Sequence, residues 1–306
     1  MAKNIKNIAA SVHDRLLKLA RKTSRPFNEL LQLFAIERFI YRLSKSPHAD
    51  RFILKGALML SVWSGPVSRP TMDIDLLGKI SNSLEEIQSV MRDACKMDVV
   101  DDGMLFDEET LSAARITVDA EYEGVRVRIQ GSLSNARVSL QIDIGFGDVI
   151  VPAPGKVVYP TLLDFPSPEL NGYTMETTIA EKYQTMVKLG AVNSRMKDFH
   201  DIWMLSRAFD FNGEVLAEAI EQTFVNRRTG LTIDPAIFDA SFGKDEIRQV
   251  QWRGFLRKSR LRDVPEDLAD VMAGIRMFLE PPVRSLASGR KFHGAWNAKG
   301  PWAPTS

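Results

Sequence analysis

Apolar residues recur at helical spacing over the first 46 residues of the chain. They return every three to four positions from Ser11 to Leu19, and again from about Pro26 to Ser44. The pattern predicts two amphipathic helices, interrupted at residues 24–26 and ended by the sequence Ser46-Pro47-His48, because proline lacks the backbone donor that a helix needs.

The middle of the chain alternates between apolar and polar residues with a period of two, which is typical of strands. Residues 52–63 predict a strand, a turn at Gly56 and a short helix, and residues 71–77 and 83–95 predict a strand and a helix. Three further strand-like runs follow: Ala114–Ala120, Gly124–Gln130 and Ala136–Phe146. We expect a hairpin turn within residues 131–135, and a connection with little regular structure over the Pro- and Gly-rich residues 147–172.

The last part of the chain is predicted to be mainly helical. Thr178 to Glu181 fits a capping box, and Gly190 fits the position after a helix end. Further helices are expected at 196–209, 215–224, 248–255 and about 266–279, the last ending before Pro281-Pro282. The fold class is therefore α+β. We expect basic N-terminal helices packing on the core (1–50), a mixed-sheet core (51–172), a helical region (173–280) and a flexible tail (281–306).

The composition is that of a globular protein. Of 306 residues 44% are hydrophobic and 26% charged, which excludes a wholly disordered or low-complexity chain. No apolar run reaches about 18 residues and the first ten residues lack an apolar signal core, so we expect a cytoplasmic protein without a membrane span. The single cysteine, Cys95, excludes internal disulfides and cysteine-cluster metal sites.

A net charge of +1 conceals a partition of charge along the chain. Residues 1–55 hold 12 Lys and Arg against 4 Asp and Glu, whereas residues 72–124 hold 4 against 14. This asymmetry suggests a polyanionic partner or a metal-binding region, and the alternative is that exposed faces simply differ in charge.

The sequence Asp73-Ile74-Asp75 places two carboxylates on one face of a predicted strand, because residues i and i+2 point the same way. Neighbouring carboxylates repel each other, and Mg²⁺ bound by their oxygens removes that cost. The alternative is a solvated strand edge. Gly56, after Lys55, would let backbone N–H groups approach a phosphate closely, unless it is only a packing glycine.

A third carboxylate, Asp143, lies on the polar side of a strand whose other side is apolar. If that strand neighbours the one with Asp73 and Asp75, the three would form a cluster such as two-metal phosphoryl-transfer enzymes use. A polar residue on a half-exposed strand is the alternative. We expect the apolar side of the strand that carries Asp73 and Asp75 to include Met72.

Lys182 lies near the start of a predicted helix, where it opposes the helix dipole. A phosphate would explain that position, with Asp198 holding Lys182 or acting as a base. A surface lysine and an ordinary ion pair remain open alternatives. Glu181 is assigned to capping, and His200 and Trp203 to packing. None of the four histidines has metal-ligand spacing to another, so a zinc site is not expected.

Five segments in this order resemble the AbiEii/AbiGii toxin family of nucleotidyltransferases, which includes the MenT toxins and is related to the DNA polymerase β superfamily. The resemblance covers most of the chain, roughly residues 10–280, and its most specific segments are Phe52 to Leu58, Arg69 to Leu76, Gln141 to Asp148, Ala180-Glu181-Lys182, and Arg195 to Asp201. The resemblance implies a bilobed α+β protein, with the nucleotidyltransferase sheet in one lobe and a helical C-terminal lobe.

The resemblance also implies residue roles. Such enzymes transfer a nucleoside monophosphate from an NTP with Mg²⁺ (or Mn²⁺). The implied catalytic residues are Asp73, Asp75, Asp143, Lys182 and Asp198, and the implied metal ligands are Asp73, Asp75 and Asp143. The implied nucleotide-binding residues are Lys55, Gly56, Ala57, Arg69 and Lys182. Ala57 departs from the family, because the wider superfamily has a serine there whose hydroxyl contacts phosphate.

As partners, the resemblance implies an NTP, an RNA acceptor such as the 3′ end of tRNA, and a cognate antitoxin encoded nearby, in a toxin–antitoxin or abortive-infection system. The basic residues of 1–55 would suit RNA. Alternatives are nucleotidylation of a partner protein, a degenerate protein that binds nucleotide or a partner without turnover, and, ranked last, a metal-dependent nuclease.

Overall fold

The computed structural model describes residues 7–65, 71–118 and 122–304, without the side chains of 117, 118, 122 and 123. The chain divides into two compact units. The first comprises residues 1–147 and 155–172, and the second comprises residues 148–154 and 173–306. Within the described residues, no helix is long and apolar enough to cross a membrane.

Two helices open the first unit, as the sequence predicts. They are α1 (Ile8–Thr23) and α2 (Phe27–Lys45). α2 is buried along most of its length, and Gln32 donates hydrogen bonds to the carbonyl oxygens of Met72 (3.0 Å) and Ser139 (3.1 Å). These two bonds fix α2 against the strands that carry the acidic residues.

Seven strands of the described residues form one mixed sheet in the first unit, in the order β3-β4-β5-β2-β1-β7-β6. They are β1 (Phe52–Lys55), β2 (Asp73–Gly78), β3 (Met104–Val118), β4 (Tyr122–Leu133), β5 (Ala136–Phe146), β6 (Gly155–Val158) and β7 (Glu169–Gly172). Helix α3 (Ala57–Ser64) follows β1, helix α4 (Leu84–Lys96) follows β2, and a 3₁₀ turn (Ala49–Arg51) precedes β1. The pairs β2–β5 and β1–β7 are parallel.

Burial alternates along the two central strands. Ile74 and Leu76 on β2 are fully buried, as are Leu140, Ile142 and Ile144 on β5. The opposite face of both strands therefore carries the polar side chains. Met72 was expected on the buried face, but it is 51% exposed because β2 begins one residue later, at Asp73.

The expectation of little regular structure over 147–172 is wrong, because β6 and β7 lie within this segment. β7 pairs with both β1 and β6, and Leu170 on β7 is buried. Both strands have only four residues, so their period-two pattern is too short to stand out from the surrounding prolines and glycines.

The second unit is mainly helical, as predicted. Its helices are α5 (Met175–Leu189), α6 (Met196–Ala208), α7 (Gly213–Asn226), α8 (Ala240–Lys244), α9 (Glu246–Ser259) and α10 (Leu268–Ala287), with 3₁₀ turns at Gly190–Val192 and Ala236–Phe238. Its described strands β8 (Phe211–Asn212), β9 (Ala295–Trp296) and β10 (Trp302–Ala303) form a small sheet in the order β10-β9-β8. Gly190 follows the end of α5, as expected.

The predicted start of α5 is wrong by one turn. Thr174 is the N-cap, because its hydroxyl accepts the backbone N–H of Thr177 at 3.2 Å. Glu181 therefore lies in the body of the helix and does not belong to a capping box.

The predicted end of α10 is also wrong, and the tail expected from residue 281 begins inside this helix. α10 continues through Pro281 and Pro282 to Ala287. Pro282 cannot donate to the carbonyl of Phe278, and the indole N–H of Trp302 donates to it instead, at 2.8 Å. Trp296 is 1% exposed, and its indole N–H donates to the carbonyl of Ser206. The C-terminal segment thus packs on the second unit through Trp296 and Trp302.

Candidate active site

The strands of Asp73, Asp75 and Asp143 are neighbours, which is the condition that the sequence set for a carboxylate cluster. β2 and β5 run in parallel, and Asp75 is directly opposite Asp143. Asp73 and Asp75 are both half-buried and share the face opposite Ile74. Three carboxylates therefore lie on one face of two adjacent strands.

Two cations flank these carboxylates in the same row of the sheet. Arg126 on β4 is directly opposite Asp143, and Lys55 on β1 is directly opposite Asp75. Residues opposite each other on adjacent strands share a face of the sheet. The row of Arg126, Asp143, Asp75 and Lys55, here called the charged row, thus places two acids between two bases.

Arg126 binds Asp143 through two hydrogen bonds. Its Nε donates to Oδ1 and its Nη2 to Oδ2, both at 2.7 Å. The hydrogen bonds that Arg126 donates to Asp143 raise the pKa of Arg126 above its ordinary value, against a lowering by burial, and the charges of Asp73 and Asp75 raise it further. A bidentate pair of this kind is among the stronger polar contacts in proteins. Asp143 is therefore neutralised by a cation of the chain itself.

Asp73 and Asp75 have the chemistry that a divalent cation requires. Mg²⁺ is commonly held by one or two carboxylates together with substrate phosphates. Among the described residues, no group of three or more His, Cys, Asp or Glu side chains is arranged to hold a metal ion. The residues fit a metal bound by the Asp73 and Asp75 pair with phosphate, and the Arg126 contact sets Asp143 apart from that pair.

The turn between β1 and α3 lies directly against Asp75. Gly56 has φ +69°, and a Cβ atom at this position would lie 2.0 Å from Oδ2 of Asp75. Only glycine permits this approach, which places the start of α3 beside the carboxylate. The first N–H groups of a helix lack partners within it and attract anions. The strand, glycine turn and short helix that the sequence predicted are confirmed, and the turn lies against Asp75 on β2.

Ala57 and Arg69 complete the set of expected nucleotide-binding residues in the first unit. Ala57 is the first residue of α3 and is 8% exposed, so a methyl group occupies the place of a serine hydroxyl. Arg69 lies outside the described residues. Its role stays a prediction.

In the second unit, Lys182 forms the ion pair that the sequence left open. Its Nζ lies 2.6 Å from Oδ1 of Asp198 and 2.9 Å from Oδ2 of Asp201. Arg195 donates from Nε to Oδ2 of Asp198 at 2.6 Å. Asp198 and Asp201 are buried, and Lys182 is largely so, which fixes the lysine on α5 against α6.

These contacts bear on the two roles expected of Asp198. Burial disfavours the charged carboxylate, but Lys182 and Arg195 outweigh that effect and lower the pKa of Asp198 below its ordinary value. A general base works best when its pKa lies near the working pH. The environment of Asp198 therefore favours holding Lys182 over accepting a proton.

Glu181 and His200 have structural partners. Glu181 accepts a hydrogen bond from the hydroxyl of Tyr173 at 3.1 Å and pairs with Arg227 at 3.2 Å. His200 lies with Nδ1 3.1 Å from Asp201, and its ring is 5.7 Å from that of Phe255. His200 is thus buried in packing, as predicted, and also contacts a partner of Lys182.

Arg126, Arg195 and Asp201 were not among the expected site residues. A turn confined to Ser134 and Asn135 would have aligned Arg126 with Asp143, but the sequence allowed the turn anywhere from 131 to 135. Arg195 precedes Asp198 by three residues, a spacing at which helical neighbours meet.

A family model and two solved structures match this chain. The family model described as nucleotidyl transferase AbiEii toxin, type IV toxin–antitoxin system, matches residues 38–273. A Helicobacter pylori protein described provisionally as a nucleotidyltransferase is similar in structure, at 12% identity and a TM-score of 0.46, over 84% of this chain and 96% of that one. JHP933 of Helicobacter pylori is similar at 14% identity and a TM-score of 0.45, over 85% and 95%. No curated protein matches the sequence.

Proposed function

This chain belongs to the AbiEii nucleotidyl transferase toxins of type IV toxin–antitoxin systems, and we propose that it transfers a nucleoside monophosphate from an NTP to RNA, at the 3′ end of a tRNA. Membership of the family implies an NTP substrate and an antitoxin partner, and we propose that the antitoxin is encoded nearby. The observation that carries the proposal is the contact of the Gly56 turn with Asp75, which brings a phosphate-binding helix start to a pair of carboxylates.

Asp73 and Asp75 are the proposed ligands of Mg²⁺ or Mn²⁺. When bound, the metal would neutralise charge on the phosphates and lower the pKa of the attacking hydroxyl. Asp143 assists as a third ligand or as the anchor of Arg126, and its two hydrogen bonds to Arg126 support the second role. In that role Asp143 keeps a cation beside the carboxylate pair.

The triphosphate is the group that the remaining residues bind in this proposal. Backbone N–H groups of the first turn of α3 donate to its oxygens, and Lys55, Arg69 and Lys182 supply positive charge. Asp198 positions Lys182 through their 2.6 Å contact. With phosphoryl transfer, positioning and charge stabilisation supply most of the catalysis, so no strong base in the chain is required.

A four-nucleotide transfer assay tests the proposal. The purified protein is incubated with total RNA, Mg²⁺ and each labelled NTP in turn. We expect label on RNA with at least one NTP, loss of labelling in Asp75→Asn, and no change in Asp164→Asn, whose carboxylate is fully exposed. Label on protein alone would indicate that the acceptor is a partner protein and not RNA. No label on either would contradict the proposal.

Ala57 favours a second candidate, a protein that binds nucleotide without turnover, because the phosphate-contacting hydroxyl is missing. Titration calorimetry with each NTP and Mg²⁺ separates the two. Tight binding without transfer would support the second candidate, and Ala57→Ser would then be expected to restore transfer.

A further inference from the structure

We propose that residues 253–262, from the C-terminal half of α9 to just beyond its end, bind the phosphate backbone of the acceptor RNA. We call this stretch the α9 basic segment. The inference rests on the proposed function for the identity of the acceptor as RNA. It moves the main RNA contact from residues 1–55, where the sequence alone suggested it, to the second unit.

The α9 basic segment has a high density of positive charge, and its own sequence contains no acidic residue. Five of its ten residues are basic: Arg253, Arg257, Lys258, Arg260 and Arg262. From 247 to 262 the sequence contains six basic residues and no acidic one. Cations in the last turn of a helix also offset its dipole, but Arg253 and Arg262 lie outside that turn.

The exposed side of the α9 basic segment carries charge of a single sign. All five basic residues of the α9 basic segment are exposed, and its other five residues are buried or half-buried. Trp252 and Leu256 anchor the opposite side of α9, and the indole N–H of Trp252 donates to the carbonyl of Pro265 at 2.9 Å. The exposed residues of the α9 basic segment are therefore cations alone.

The surface chemistry fits a phosphate backbone better than a protein. Protein interfaces are centred on apolar or aromatic anchors that become buried on binding. The exposed apolar residues of α9, Ile247 and Val250, lie before the α9 basic segment, which exposes none. Phosphates require only positive charge, and such contacts bind without choice of sequence.

A chain of contacts joins the α9 basic segment to Lys182. Phe255, within the segment, has its ring 5.7 Å from that of His200 on α6. His200 Nδ1 is 3.1 Å from Asp201, whose other oxygen is 2.9 Å from Lys182 Nζ. An acceptor held on the segment would thus be bound by the same unit that carries Lys182.

The basic N-terminal residues offer less exposed charge than their number suggests. Arg38 and Arg42 are buried in ion pairs with Glu37 and Asp102. The exposed cations of α1 are Lys18, Arg21 and Lys22. They provide a matched comparison, because Arg21 and Lys22 occupy the last turn of α1 as Arg257 and Lys258 occupy that of α9.

Two triple variants test the proposal. One replaces Arg253, Arg257 and Lys258 by Gln, and the other replaces Lys18, Arg21 and Lys22 by Gln, so each removes three charges and keeps good helix formers. Affinity for labelled bulk tRNA and for poly(U) is measured without NTP at several salt concentrations. Thermal unfolding of each variant, matched to that of the wild type, ensures that folded proteins are compared.

We expect the α9 variant to bind both RNAs at least tenfold more weakly. The slope of log affinity against log salt should fall by about 2 to 3, because each phosphate that the protein neutralises adds roughly one to that slope. The α1 variant should change little. Equal weakening in both variants, weakening confined to the α1 variant, or unchanged binding in the α9 variant would overturn the proposal.

The outcome for the proposed function is read separately. If the wild type labels RNA in the transfer assay and the α9 variant still binds RNA normally, the surface is assigned wrongly while the function stands. If the wild type binds neither RNA, the surface proposal is overturned. Capture of an acidic peptide such as poly(Glu) by the wild type but not by the α9 variant would then indicate a protein partner.

Discussion

Gly56 provides the space that Asp75 occupies beside the start of α3. Replacing it by Ala would place a Cβ atom 2.0 Å from Oδ2 of Asp75 and force a φ of +69° on a residue with a side chain. We expect Gly56→Ala to lower the free energy of unfolding by about 1–3 kcal/mol from backbone strain alone. It should also abolish transfer, because the carboxylate must move. The measurements are urea unfolding and the label-transfer assay.

Gly65 at the other end of α3 provides the control. Its φ of +84° and ψ of +175° lie in the same glycine-only region, but a Cβ there would meet nothing within 4 Å among the described residues. Gly65→Ala should therefore cost similar stability and leave transfer intact. Equal activity in the two variants would show that the contact with Asp75 is irrelevant to catalysis.

Asp198 should make stability depend on pH in the acidic range. Its pKa is lowered in the folded protein, so its stabilising effect is complete above the unfolded value near 3.9 and is lost as pH falls through the folded value. We expect Asp198→Asn to destabilise by about 3 kcal/mol at pH 7, because it breaks a buried charge pair. The difference from the wild type should shrink below about pH 4.

Thermal unfolding of both proteins between pH 3 and pH 8 measures this difference, with the exposed Asp164→Asn as control. A difference that persists unchanged at pH 3 would mean that the Asp198 carboxylate does not act through its charge.

The sequence predicted the carboxylates of the candidate site but not the arginine that binds one of them. Asp73, Asp75 and Asp143 follow from their spacing on strands, and their pairing in one sheet confirms that they share a face. Arg126 could not be predicted, because its position opposite Asp143 depends on a two-residue turn whose bounds the sequence left open. The same limit applies to Asp102, which accepts hydrogen bonds from the buried Arg42 at 2.7 Å and 3.0 Å although the two residues lie 60 positions apart in the sequence.

At the scale of elements, the β4–β5 hairpin determines which charged residue lies opposite Asp143. It aligns Arg126 with Asp143, at the opposite end of the charged row from Lys55. The hairpin thereby brings a cation to the strands where metal binding is proposed. The pairing has a measurable consequence for metal affinity.

A double-mutant cycle measures whether Arg126 withholds Asp143 from the metal. Arg126→Gln should raise the affinity for Mn²⁺ several-fold, because it frees a carboxylate and removes a nearby positive charge. In an Asp143→Asn background the gain should be smaller, with a coupling of about 1 kcal/mol between the two positions. Electron paramagnetic resonance counts the bound Mn²⁺ without reference to activity.

If Arg126→Gln raised the Mn²⁺ affinity equally in the wild-type and Asp143→Asn backgrounds, Arg126 would act on Asp73 and Asp75 by charge alone. The matched control is Arg137→Gln, an exposed arginine on β5.

Long helices were predicted better than short strands, for physical reasons. The helices α1, α2 and α6 have several turns of apolar spacing, which the sequence displays directly. The four-residue β6 and β7 are held by their neighbours in the sheet rather than by their own pattern. Where Pro282 leaves the carbonyl of Phe278 without a helical donor, Trp302 donates to it from twenty residues further along the chain, and no local rule anticipates that contact.

At the scale of the whole molecule, toxicity should depend on the proposed site. Induced expression in a bacterial host without an antitoxin should slow growth, because transfer of nucleotides to tRNA would halt translation. Asp75→Asn should relieve the effect and Asp164→Asn should not. Growth curves and immunoblots for equal protein levels measure this. An equally harmful Asp75→Asn protein would mean that toxicity is not catalytic.

The order of the chain through its two units has a consequence for biosynthesis. The chain leaves the first unit after Gly147, returns at Gly155 and leaves finally after Gly172. β7 covers one edge of β1, whose residues Phe52 to Leu54 are fully buried. A nascent chain that has emerged only to residue 147 therefore exposes an unpaired apolar strand edge, which invites aggregation.

The nascent chain must consequently emerge from the ribosome beyond Gly172 before the sheet that holds Asp73 and Asp75 can be completed. Until then, the strands that carry the proposed metal ligands belong to an incomplete sheet. For the same reason, a recombinant fragment intended to represent the first unit has to extend to Gly172, since one that ends at residue 147 would lack the strand that seals β1.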